Sequence, residues 1–214
     1  MSEPREPAIN APWPALTLIG LLVAAYSAQT LATPGAWLVD LAFTPAGLAR
    51  GHWTPLITAQ FMHGGWLHLF INLAFLLAFG APVAKFFGTS LPGALIFFIF
   101  YLLCGVIASL GYAALEPGSR QFLIGASGAV AGLMGAASRL VDRKGRLGPF
   151  RSRTVIFMGL SWLAVNLLIA LIGFAPGAGD AQVAWQAHIA GYLAGLLLIG
   201  PFAWISGADI EDAH

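Results

Sequence analysis

Apolar residues in this chain gather into six long runs, separated by short polar or Gly- and Pro-marked breaks: residues 14–31, 66–82, 91–114, 127–141, 154–174 and 185–204. A helix needs roughly 20 mostly apolar residues to cross a bilayer, so each run is a candidate span. The pattern predicts an all-α polytopic membrane protein with six transmembrane helices. Residues 1–13 are then a short N-terminal segment, 14–205 a six-helix membrane domain and 206–214 a C-terminal tail. The six spans and their connections use nearly the whole chain, which leaves no room for a sizeable soluble domain.

Composition agrees. Only 9% of the residues are charged, against about 25% in a soluble domain. No small-residue cleavage pattern clearly follows the first run, which is therefore expected to remain as a helix. Cys104 is the single cysteine, so neither an intramolecular disulfide nor a cysteine metal site is expected. Its expected role is small-residue packing inside the third span.

Charge placement sets the topology. Six of the ten Lys and Arg residues, Arg139, Arg143, Lys144, Arg146, Arg151 and Arg153, lie between the fourth and fifth spans. Basic residues in short loops stay on the cytoplasmic side. Six spans then place both termini in the cytoplasm, in agreement with Arg5 and Lys85. The long first connection, residues 32–65, lies outside. With Trp37, Phe43, Leu48 and Trp53 it reads as a partly interfacial segment anchored by tryptophan at the water boundary. Pro117, Gly118, Pro176, Gly177 and Gly179 mark the other external turns.

Polar residues inside the runs are few, and an unpaired one in hydrocarbon costs several kcal/mol. His68 and Asn72 are four apart and share one helical face, with His63 one turn further out. Ser127 sits in the turn Gly125-Ala-Ser-Gly128 at the mouth of the fourth span, and His188 opens the sixth. Spans two, four and six all run inward from outside. The five polar residues His63, His68, Asn72, Ser127 and His188 therefore converge at one depth near the external side.

Chemistry suggests the roles. A serine between glycines is open to close approach by a substrate carbonyl, and a histidine supplies the base it needs at neutral pH. No intramembrane Asp or Glu stands near His188, so a Ser-His dyad is expected. The Ser127 backbone N–H, the Asn72 amide and His68 are candidate donors to an oxyanion, beside the positive end of the fourth helix. Gly128, Gly132 and Gly135 in the fourth span, with Gly191 and Gly195 in the sixth, would let the two helices approach closely. Asn166 in the fifth span reads as an interhelical hydrogen-bonding residue. Gln186 is a candidate for contact with substrate or solvent.

The set His63, His68, Asn72, then Gly125-Ala-Ser-Gly128, then Ala187-His188 with Gly191 resembles the rhomboid intramembrane serine proteases. The order and span placement cover about residues 50–204 and imply a rhomboid-like bundle. The resemblance implies a serine endopeptidase that cuts the transmembrane segments of other membrane proteins near the external face. Ser127 would be the nucleophile and His188 the base. His68 and Asn72 would stabilise the oxyanion, and His63, Gly125 and Gly128 would support the site. The implied partners are transmembrane substrates and the lipid bilayer, with no nucleic acid, metal or cofactor; a compact core of this kind suits a bacterial inner membrane.

Two positions depart from the family pattern. The external loop reads Arg50-Gly-His-Trp53 where relatives commonly carry Trp-Arg. Ala131 stands where an aromatic residue often stacks on the catalytic imidazole, so the orientation of His188 falls to another group. Two further readings differ in class. A rhomboid-like pseudoenzyme would bind membrane proteins without cutting, but such relatives usually lack the serine or the histidine. A small transporter would show internal repeats and polar residues along a through-path, whereas here they lie on one side only.

Overall fold

The computed structural model describes residues 11–31, 38–143, 146–173 and 183–208. Trp37, the turn at Pro176, Gly177 and Gly179, and most of both terminal segments lie outside the described residues. Six helices occupy the six apolar runs: α1 (Trp13–Leu31), α2 (Trp66–Phe87), α3 (Leu91–Leu115), α4 (Ser127–Ser138), α5 (Arg153–Ile172) and α6 (Trp185–Ser206). Among the described residues the only β contact is an isolated antiparallel bridge between Phe43 and Leu123. The architecture is an all-helical, multi-pass membrane bundle.

Five of these helices are long and apolar enough to cross a membrane. The exception is α4, which is the centre of the bundle. Its 12 residues reach about 18 Å, short of the roughly 30 Å hydrocarbon thickness, and every residue from Ala129 to Ser138 is buried. The predicted run to residue 141 overshoots, because the helix ends at Ser138 and gives way to a 3₁₀ turn, Val141–Arg143. Arg139 explains the stop. Its side chain turns inward, donates from Nε to the Gly148 carbonyl at 2.9 Å and lies 3.9 Å over the Phe150 ring. One of the six loop cations is thus a packed side chain.

The second run was expected to end at Pro82, and the helix instead continues to Phe87. Proline removes a backbone donor and crowds the carbonyl four residues earlier. The chain absorbs this with a π turn over Leu76–Gly80 immediately before Ala81–Phe87, a usual cause of an offset within a helix.

The main core joins α1, α2, α3, α4 and α6 through Leu18, Leu22, Leu76, Phe97, Tyr101 and Leu133. The α4–α6 contact is closer than any side chain would permit. A Cβ on Gly191 would overlap the Gly128 carbonyl, and one on Gly195 would overlap that of Gly132. Backbone therefore packs on backbone, as small residues allow in lipid. At the same point α3 closes in as well, with the buried Cys104 against Gly132, which gives that cysteine a packing role.

The segment after α1 is more folded than an interfacial loop. Phe43, just before the short helix Pro45–Ala49, is fully buried, as is most of Leu56 in the second short helix, Pro55–Thr58, while residues 50–54 between the two helices stay exposed. Phe43 and Leu123 exchange both backbone hydrogen bonds, at 3.1 and 2.8 Å. This ties the segment to the strap that leads into α4. Trp53 remains 64% exposed, as an interfacial anchor would be.

Candidate active site

Ser127 is the first residue of α4, where helix geometry leaves the leading N–H groups without carbonyl partners and the dipole is positive. The strap delivers it through Gly125, whose φ of +116° favours glycine. Gly125 is constrained a second time, because a Cβ there would come within 2.8 Å of His68 Cε1 and Nε2. The same glycine thus lets the strap turn and brings His68 up to the serine.

From α6, His188 Nε2 lies 2.9 Å from Ser127 Oγ. The glycine contacts between α4 and α6 begin one residue after Ser127 and three after His188, so the close backbone approach brings these side chains together. The other ring nitrogen, Nδ1, lies 2.9 Å from Asn166 Oδ1 on α5. Trp162, one turn earlier on α5, has its ring centroid 5.8 Å from that of His188, tilted by 40°.

On α2, His68 Nδ1 accepts from the Gly64 N–H at 3.4 Å. In the neutral ring this leaves Nε2 as the protonated nitrogen, on the side facing Gly125 and Ser127. Asn72 is buried and uses Nδ2 to bond the His68 carbonyl at 2.9 Å. His63 is fully buried behind His68, with ring centroids 5.2 Å apart, and meets Tyr26 edge-on. Its backbone is clamped by Gln29, which donates to the His63 carbonyl at 2.6 Å and accepts from its N–H at 3.0 Å.

Ser127, His188, His68 and Asn72 line one cleft of about 360 Å³. Its walls are mostly apolar and come from α2, α4, α5 and the strap before α4, including Ile71, Phe75, Ile124 and Val165. His63, Gly125 and Gly128 stand outside that lining: His63 behind His68, Gly125 under it, and Gly128 in the α4–α6 contact. Gln186 donates to Glu116 at 3.0 Å, an arrangement at the end of α3. His52 is exposed in the loop and belongs to a separate depression with Arg50 and Arg120.

The sequence reading gave Asn166 only a bond between helices and assigned nothing to Trp162. Asn166 carried the same signal as Asn72, a polar side chain in an apolar run, but its partner depends on how α5 is rotated about its axis. Trp162 had no distinguishing signal among the other aromatic residues.

The rhomboid domain family model matches residues 50–205 of this chain, and the chain belongs to that family. It is 31% identical over 144 residues to RHOMBOID-like protein 5 of Arabidopsis thaliana, covering 67% of this chain and 42% of that protein. It is 29% identical over 153 residues to "Putative rhomboid protease YdcA" of Bacillus subtilis (strain 168), covering 71% of this chain and 68% of that one. The mitochondrial RHOMBOID-like protein 6 of Arabidopsis thaliana is 30% identical over 144 residues and is covered to 41%. The chain thus spans less than half the length of the two plant relatives.

Proposed function

We propose that this chain is an intramembrane serine endopeptidase, with Ser127 as nucleophile and His188 as its base. The observation that carries the reading is the 2.9 Å approach of Ser127 Oγ to His188 Nε2 in a mostly apolar cleft of about 360 Å³. As Oγ attacks the scissile carbonyl carbon, its proton passes to Nε2 and the carbonyl electron pair moves onto oxygen. The Ser127 N–H, His68 Nε2–H and the Asn72 amide are the donors for that oxyanion. On collapse the C–N bond breaks and Nε2 returns its proton to the leaving nitrogen. Water, deprotonated by His188, then repeats the cycle on the acyl-enzyme and frees the serine.

The substrates under this reading are transmembrane segments of other membrane proteins, and the cut falls near the external face. The basic cluster around Arg139 to Arg153 supports a cytoplasmic placement for that end of the bundle, with both termini on the same side. Since α4 reaches only about 18 Å, Ser127 then lies some 10 Å below the opposite surface, given a core of roughly 30 Å. Water enters from that side through the cleft.

The deciding experiment is incubation of the detergent-purified protein with a fluorophosphonate probe, wild type beside Ser127→Ala. Labelling that disappears with Ser127 supports the enzyme. A wild-type protein that takes no label, and leaves a model transmembrane substrate intact, is a rhomboid-like binding protein instead.

A further inference from the structure

Of the 20 residues of α5, only Val155 and Asn166 are buried; the main core of the bundle takes no side chain from this helix. A mostly exposed helix has thus placed a polar amide at one of its two buried positions. Hydrocarbon makes that costly unless both ends of the amide are satisfied. Both are. Nδ2 donates to the Trp162 carbonyl at 2.9 Å, and Oδ1 faces His188 Nδ1 at 2.9 Å.

These two bonds fix the amide orientation. Turned over, Asn166 would set its oxygen against the Trp162 carbonyl oxygen and its NH₂ against the ring. With the amide held by Trp162, Oδ1 can only accept, so Nδ1 must carry the ring proton. Nε2 is then the free lone pair that faces Ser127 Oγ. That tautomer is the one a general base for Ser127 requires, and the opposite one would leave the hydroxyl facing an N–H.

We infer that Asn166 is a positioning residue of the catalytic group, making it Ser127–His188–Asn166, with the peripheral helix α5 supplying the member that fixes the tautomer and rotation of His188. The inference rests on the serine-protease reading above. Trp162 has a related part: its indole lies beside the imidazole and its Nε1 donates to the His188 carbonyl at 3.4 Å. The two α5 residues hold His188 by ring edge, ring face and backbone, next to the small Ala131. An amide suffices for this, since the task is to accept one hydrogen bond and needs no charge.

The test compares Asn166→Leu, close in size but without an acceptor, with Asn166→Asp, which restores one. Cleavage of a transmembrane substrate gives kcat and KM. In parallel, ¹⁵N NMR of histidine-labelled protein reports the protonated ring nitrogen. The chain has five histidines, and the His188 signals are those lost in His188→Gln. Asn166→Leu is expected to lose roughly 100-fold in kcat, the scale of a misplaced catalytic group, with KM within about threefold. Its His188 should shift from Nδ1–H to a tautomer mixture, while Asn166→Asp recovers at least tenfold in kcat and the Nδ1–H signature.

An Asn166→Leu protein with wild-type kcat, or one whose His188 keeps the Nδ1 proton, overturns the inference. So does equal loss in the Leu and Asp variants, which marks a packing role. Absence of Ser127-dependent fluorophosphonate labelling in wild type counts against the protease reading, not against this one. The NMR comparison needs no turnover and still decides whether Asn166 sets the tautomer.

Discussion

The two helices that hold His188 do so in opposite ways. The α4–α6 contact is backbone on backbone, with Gly191 and Gly195 against the carbonyls of Gly128 and Gly132. Nothing there can move without opening the centre of the bundle. Helix α5 meets the same histidine through two side chains, Asn166 and Trp162, and leaves Phe157 73% and Leu171 85% exposed on its outer face. The approach of Ser127 to His188 is thus set by the tightly packed part of the fold, while a lightly packed helix holds the His188 ring. Under the proposed function the cleft admits a transmembrane segment and one of its walls must yield. Helix α5, with only 11% of its apolar stretch buried, is the wall whose packing opposes this least, and its movement would carry Asn166 with it.

The sharpest way to isolate the rigid pair is to remove it. Ser127→Ala and His188→Ala are each expected to abolish cleavage of a model transmembrane substrate, and the double variant to be no worse than either. Nucleophile and base act as a unit, so their losses do not add. The detergent melting temperature of Ser127→Ala should stay within a few degrees of wild type. His188→Ala leaves the buried Asn166 Oδ1 without its partner and should melt somewhat lower, since an unsatisfied buried acceptor costs about 1–3 kcal/mol. Appreciable turnover by Ser127→Ala would remove it from the role of nucleophile.

The rigidity itself is tested at Gly195. Gly195→Ala puts a methyl group where the Gly132 carbonyl already sits, and backbone cannot step aside as a side chain can. Overpacking costs about 1–3 kcal/mol in ordinary cores, and a backbone neighbour puts this site at or above the upper end. The expected result is a lower melting temperature together with loss of fluorophosphonate labelling, as α6 shifts and carries His188 away from Ser127. A variant with unchanged stability and labelling would mean that this contact does not set the dyad.

Asn72 lies on the third side of the cleft, and Asn72→Ala should slow cleavage without ending it. Loss of one oxyanion donor typically costs about 10²–10³ in rate, less where others remain, and His68 and the Ser127 N–H do remain. Single-turnover kinetics on the variant check this. Full activity in Asn72→Ala beside an inactive His68→Ala would give the oxyanion role to His68 and the backbone.

How far the sequence carried this picture depends on which contacts are local. His68 and Asn72 declared themselves by spacing on one helix, and Ser127 by its glycines at a helix start. Convergence with His188 followed from counting spans. Pro82 misled because proline normally ends or kinks a helix, and the relief by a π turn over Leu76–Gly80 needs neighbours that a linear pattern does not show. The inward turn of Arg139 was hidden for a related reason: a loop cation and a buried one look alike until Gly148 and Phe150 are in place. Asn166 is the instructive case. Its polarity was visible, but which of the adjoining helices it faced is a matter of rotation about the helix axis, and a helix apolar on all sides carries no amphipathic stripe to fix that rotation.

The smallest expected effect completes the contrast, because it repeats the Gly195 substitution on the other helix. Gly159 lies within α5, and a Cβ there would meet only the Tyr192 ring and hydroxyl, at 3.8 and 3.6 Å. Those are ordinary contact distances, so no atom has to shift. Alanine is also a better helix former than glycine by up to about 1 kcal/mol in an exposed helix. Gly159→Ala should therefore leave cleavage unchanged and hold or slightly raise the melting temperature. The same methyl group would then be damaging between α4 and α6 and harmless between α5 and α6. If Gly159→Ala instead lowered both activity and stability to the degree of Gly195→Ala, α5 would be packed as tightly as α4, and the division between a fixed and a yielding wall would be lost.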